Sequence, residues 1–137
     1  MKLLITSALI SISLLTAGQS ADSLYQHAQE QFNNGEFETS LKLSYAAFVL
    51  DTTQVDYIGL FALSLLRLGK AQEAFDTYTL AIDRFPEAGF LYNNRGNLLN
   101  EYQEFDLAIA DFTQGYDLAL NDTIRMHLLV NRGAARF

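Results

Sequence analysis

The chain contains no cysteine, which excludes disulfides, thiol chemistry, a cysteine-ligated metal and the acceptor for a bacterial lipid anchor. Proline occurs once and glycine eight times in 137 residues, whereas half of the residues are hydrophobic. That balance describes a compact domain and not a disordered segment. Positive charge is scarce too: nine Lys and Arg stand against 16 Asp and Glu, for a net charge of −7. An acidic chain of this kind is poorly suited to phosphate backbones, so a nucleic-acid partner is not expected. Arg125, Arg132 and Arg136 make the stretch after Asp122 positive. They offer either a small anionic contact or charges that solvate a last helix and complement its C-terminal dipole.

The signatures of catalysis are missing as well. There is no G-x-S-x-G elbow, Walker A loop, G-x-G-x-x-G, H-E-x-x-H or EF-hand loop. His27 and His127 are the only histidines, and His27 with Glu30 one helical turn on supplies too few ligands to hold a metal. No acid, base and nucleophile converge by spacing, so neither an enzyme nor a cofactor nor a metal is expected. Asn121, Asp122 and Thr123 match the N-glycosylation acceptor pattern and read more simply as a turn.

No hydrophobic run reaches the roughly 20 residues that span a bilayer. The longest, Leu3 to Leu15, is interrupted by Thr6, Ser7, Ser11 and Ser13; Lys2 precedes it, and small residues follow from Thr16 to Ala21. This order fits a signal peptide over residues 1–20, cut after Gly18 or Ser20. The expectation is an exported chain with no stable membrane anchor, periplasmic in a Gram-negative bacterium and secreted otherwise.

What the sequence does have is a period of 34 residues, seen when Ala28, Ala62 and Gly96 are aligned. Residues 21–54, 55–88 and 89–122 form three copies without a gap, and such a period marks a solenoid of stacked units. The first helix of each copy carries an i, i+4, i+7 stripe: Leu24, Ala28 and Gln31; Ile58, Ala62 and Leu65; Tyr92, Gly96 and Leu99. The second helix carries Ala74, Tyr78, Ala81 and Phe85 in copy two, and Ala108, Phe112, Gly115 and Tyr116 in copy three. Gly35 and Gly69 stand where the chain must reverse, with Gln103 in the third such place, and Pro86 ends copy two. After Asp122 the strict period fails, although Asn131, Arg132 and Gly133 repeat Asn94, Arg95 and Gly96 at a spacing of 37. Residues 126–137 therefore read as the first helix of an incomplete fourth copy, or as a capping helix.

These residues resemble the tetratricopeptide repeats. The match is fullest in copy two, over Gly69, Lys70, Ala71, Gln72, Glu73, Ala74 and Phe75, then Tyr78, Ala81 and Pro86. Copy three keeps Tyr92, Gly96, Phe105, Ala108 and Phe112 and departs at Gly115. Copy one departs at Ser40 and Ser44, where alanine and an aromatic are usual. The resemblance implies an all-α, right-handed α-solenoid of antiparallel helix pairs: about three repeat units over residues 21–122, followed by one terminal helix.

The resemblance also implies that the first helices line a concave groove for a peptide or helix of a partner protein. By position, the groove would contain Tyr25, Gln29, Phe32 and Asn33; Gly59, Leu63, Leu66 and Arg67; and Asn93, Asn97, Asn100 and Glu101. Asn93, Asn97 and Asn100 follow i, i+4, i+7, so their amides share a face and can donate to and accept from a peptide backbone. Asparagines on a solvated face and leucines in the core are the competing reading. The cationic residues with which some relatives clamp a C-terminal carboxylate are missing, so that mode is not expected. The leading expectation is a protein-binding adaptor or scaffold of the cell envelope. A glycan-binding module using Tyr25 and the amides, or a truncated remnant without a ligand, are the alternatives. Leu128, Val130 and Phe137 would leave apolar surface on the C-terminal helix, a contact for a homodimer.

Overall fold

The computed structural model describes residues 18–119 and 131–133, and the chain divides into two compact units, residues 1–70 and 71–137. In the first unit lie α1 (Ala21–Asn33), α2 (Phe37–Leu50) and α3 (Val55–Arg67). In the second lie α4 (Ala71–Arg84), α5 (Gly89–Glu101) and α6 (Phe105–Leu118), and residues 131–133 are also helical. All regular structure among the described residues is helical, and none of these helices is long and apolar enough to cross a membrane.

Local chemistry sets where these helices start and stop. Ser20 caps α1, its hydroxyl accepting from Ser23 N at 3.1 Å. The helices α1, α3 and α5 all end in the same Schellman turn. Glu36 N donates to Gln31 O, Lys70 N to Leu65 O and Glu104 N to Leu99 O, while Gly35, Gly69 and Gln103 close the shorter inner bond. Each of those three residues is left-handed, with φ of 82°, 75° and 63°. Two of the places have glycine, which takes that conformation freely; Gln103 bears the steric cost of a Cβ there. Between α2 and α3, Asp51 accepts from both the backbone N–H and the hydroxyl of Thr53 at 2.9 and 2.6 Å. These bonds hold its carboxyl below the usual range.

In the first unit α2 packs between α1 and α3, around a core of Leu24, Ala28, Leu43, Ala46, Ala47 and Tyr57. Ser40 and Ser44, where copy one departs from the repeat pattern, are fully buried and hydrogen-bonded. Ser64 Oγ donates to Leu60 O, so the 3.1 Å contact between Ser40 and Ser64 has Ser40 as donor, linking α2 to α3. In the second unit α5 packs on both α4 and α6, and Leu99, Ala108 and Phe112 form its core with Phe75 and Ile109 against them. Gly96 is there for space: a Cβ at that position would lie 2.7 Å from Phe112 Cε1.

The stripes read from the sequence are right at their centres and displaced at their edges. Ala28, Ala62, Ala74, Tyr78, Ala81 and Ala108 have no exposed surface. On α3 and α5, however, Tyr57 and Leu91 are the buried residues, while the expected Ile58 and Tyr92 are only half-buried. Phe85 lies just past the end of α4.

Candidate protein-binding surface

The twelve residues assigned to a groove fall into two sets, eight on α1 and α3 of the first unit and four on α5 of the second. In the first set, Tyr25 is half-buried and packs against Tyr57, with ring centroids 4.9 Å apart and planes tilted by 43°. Burial first, and then the Asp56 carboxylate, push the Tyr25 phenol up, partly offset by a hydrogen bond with Gln29. One face of the Tyr25 ring is therefore occupied, which weakens it as a platform for a sugar. Leu63 is half-buried, and Gln29, Asn33 and Arg67 are exposed. The Arg67 guanidinium lies 6.0 Å from the centre of the Phe32 ring, which in turn meets Phe37 edge-on at 5.1 Å.

Behind these residues is a contact the sequence does not show. The Tyr57 hydroxyl donates a short hydrogen bond to the Asp22 carboxylate, joining α3 to the first turn of α1. That bond and the burial of the ring push the Tyr57 phenol up to about 12.

In the second unit, Asn97 and Glu101 are exposed, and Asn93 and Asn100 are half-buried on the same face of α5. Asn93 is already engaged, its carbonyl accepting from Asn131 Nδ2 at 3.0 Å. Asn100 differs: its Oδ1 is buried, and no donor reaches it among the described residues. A buried acceptor without a donor carries a desolvation cost that an incoming N–H would relieve. The neighbouring Arg95 serves a different purpose. Its guanidinium meets Asp111 of α6 through two bonds of 2.7 and 2.8 Å, donates to Thr79 of α4 at 3.2 Å and lies 5.9 Å from the centre of the Phe75 ring. It ties three helices together and is turned to packing, not to a ligand.

Among the described residues no group of three His, Asp or Glu could hold a metal. His127, the Asn121 to Thr123 triplet and the apolar residues Leu128, Val130 and Phe137 offered as a dimer contact lie outside the described residues, as do Arg125 and Arg136.

No protein-family model matches the sequence, and no curated protein does. Solved structures do match. PcrH from Pseudomonas aeruginosa superimposes with a TM-score of 0.79 at 16% identity, over 85% of this chain and 92% of PcrH. The Yersinia enterocolitica type III secretion chaperone SycD, in complex with a peptide of the translocator YopD, gives 0.75 at 17% identity, over 84% and 91%. The Sgt2 TPR domain from Aspergillus fumigatus gives 0.72 at 14% identity, over 85% and 79%. The fold is thus an all-α solenoid of tetratricopeptide type.

These structures correct the expectation of export. The type III secretion chaperone SycD among them gives no support to a signal peptide or to a periplasmic or secreted chain. The apolar stretch that suggested a leader, residues 3–15, lies outside the described residues. A run with hydroxyls at Thr6, Ser7, Ser11 and Ser13 is weak evidence for export on composition alone. One of the two cuts considered, after Ser20, would also remove the cap of α1.

Proposed function

We propose that this chain is a protein-interaction module that holds an extended peptide or a helix of a partner on the first helices of its copies. The single observation that carries this is the asparagine face of α5. Asn97 is exposed, and beside it Asn100 holds a buried carbonyl oxygen without a donor, the acceptor a peptide N–H would complete. Support comes from the neighbours, since SycD has been solved with a translocator peptide and PcrH with the chaperone binding regions of PopD and PopB. Those neighbours are chaperones and a TPR domain rather than enzymes, which fits a binding role for this chain. The cell-envelope setting goes with export and forms no part of the proposal.

The test is affinity capture from a lysate of the source organism, with the full chain and an Asn97→Ala, Asn100→Ala variant side by side. Fragments of whatever is captured then locate the bound segment. A segment retained by the native chain and lost by the variant, with both equally folded, is the expected result. Equal retention by both would remove the α5 face from the binding site.

A further inference from the structure

The other side of α5 carries a second surface. Residues 98, 99 and 102 lie away from the 93, 97 and 100 face on a helix of 3.6 residues per turn. With α4 and α6 they bound an open pocket of about 420 Å³. Its floor is Phe75, Leu98 and Leu99, and Tyr102, Leu107 and Glu104 stand in its walls. Tyr102 is 62% and Leu107 56% exposed, and Phe105 between them is 45% exposed. The segment Glu101, Tyr102, Gln103, Glu104, Phe105, Asp106, Leu107 thus alternates exposed apolar rings and chains with carboxylates and contains no base. Asp76, which accepts from the wall residue Gln72 at 3.0 Å, adds a further acid; Lys70, one residue before Ala71, is the nearest base in sequence.

We infer that this pocket is a second docking site, separate from the asparagine face, for an amphipathic partner segment that inserts an apolar anchor and flanks it with lysine or arginine. Charge selects that occupant over a second copy of this chain. A two-fold contact would bring Glu101, Glu104 and Asp106 against their own counterparts, on a chain of net charge −7. A basic amphipathic segment meets the same apolar area with opposite charge at its rim.

The experiment uses fluorescence anisotropy on the full chain with a labelled helical peptide of leucines on one face and lysines on the other. The control peptide has glutamate in place of lysine. Binding of the lysine peptide is expected to weaken about tenfold in Leu107→Asp and in Tyr102→Ser, as for loss of one interface anchor. It should weaken also in Glu104→Lys and stay unchanged in Asn97→Ala. Leu107→Asp makes the chain more acidic, so mere attraction between opposite charges would strengthen binding there. Both apolar substitutions are at exposed positions, and circular dichroism checks that each variant is folded. The proposal is overturned if the lysine peptide does not bind, if it binds no better than the glutamate peptide, or if the folded apolar variants bind as tightly as the native chain. Self-association of the native chain that Leu107→Asp abolishes would also overturn it, in favour of a second copy.

Discussion

Replacing Gly96 with alanine pits helix propensity against packing, and the structure decides the sign. Alanine in a helix interior is favoured over glycine by about 1 kcal/mol. The added methyl, however, would sit 2.7, 2.9 and 3.2 Å from three atoms of the Phe112 ring, where carbon atoms prefer about 3.5 to 4.0 Å. Phe112 is 1% exposed and packed within the core of the second unit, so the ring has no solvent-side path of escape. Overpacking of this kind costs about 1 to 3 kcal/mol, which leaves Gly96→Ala less stable than the native chain by up to about 2 kcal/mol. At this chain length that corresponds to a fall in Tm of roughly 4 °C for each kcal/mol. Urea unfolding followed by circular dichroism measures it directly. Adding Phe112→Leu to Gly96→Ala should cost less than the two single losses summed, because the smaller side chain makes room for the methyl. A Gly96→Ala chain more stable than the native one, by the full helix-propensity gain of about 1 kcal/mol, would refute the close approach of α5 to the Phe112 ring.

Gln103→Gly should raise stability by about 0.5 to 1 kcal/mol, because it removes a Cβ from a left-handed position and Gln103 is exposed; a lower Tm would contradict the turn geometry. Asp111→Ala, which strands the Arg95 guanidinium among Phe75 and Thr79, should cost about 2 to 4 kcal/mol, with much of the loss recovered when Arg95→Met and Asp111→Leu are combined; urea midpoints distinguish the two. Tyr57 should titrate at about 12 against an ordinary 10.0. Because folding raises this pKa, its contribution is fully present below pH 10 and lost as pH rises through the folded value near 12. Asp22→Asn should bring the tyrosinate absorbance step down toward 10.0, and an unchanged step would mean that the carboxylate is not the cause.

The repeat made the fold legible because its strongest marks are steric. Ala28, Ala62 and Gly96 recur where adjacent helices leave no room for a larger side chain, and Gly35, Gly69 and Gln103 share one left-handed turn. Tyr57 and Leu91 escaped the same reading because an i, i+4, i+7 stripe fixes the middle of a buried face and not its width. Arg95 and Asp111 are sixteen residues apart, and in sequence each looks like an ordinary solvated charge; only the packing of α5 on α6 makes them a pair. The asparagine face was visible as a face. Its division into an engaged Asn93, an open Asn97 and an unsatisfied Asn100 depends on Asn131, 38 residues from Asn93, and on burial that no spacing encodes. The expectation of export rests on composition alone, the hydrophobicity of residues 3–15 and the small residues after them.

The hydroxyls at Ser40 and Ser44 bear on whether the copies are interchangeable parts. At the place held by Ser44 in copy one, the other two copies bury the rings of Tyr78 and Phe112. Copy three admits its ring by giving up a side chain at Gly96, whereas copy one keeps Ala28 at that place and has the small serine. Copies one and three thus match a small residue at one place to the residue at the other, whereas copy two has both Ala62 and the Tyr78 ring. A recombination that joined the first helix of copy one to the second helix of copy three would set Ala28 where Gly96 now stands, and its methyl would meet the Phe112 ring at a place that has no space for a Cβ.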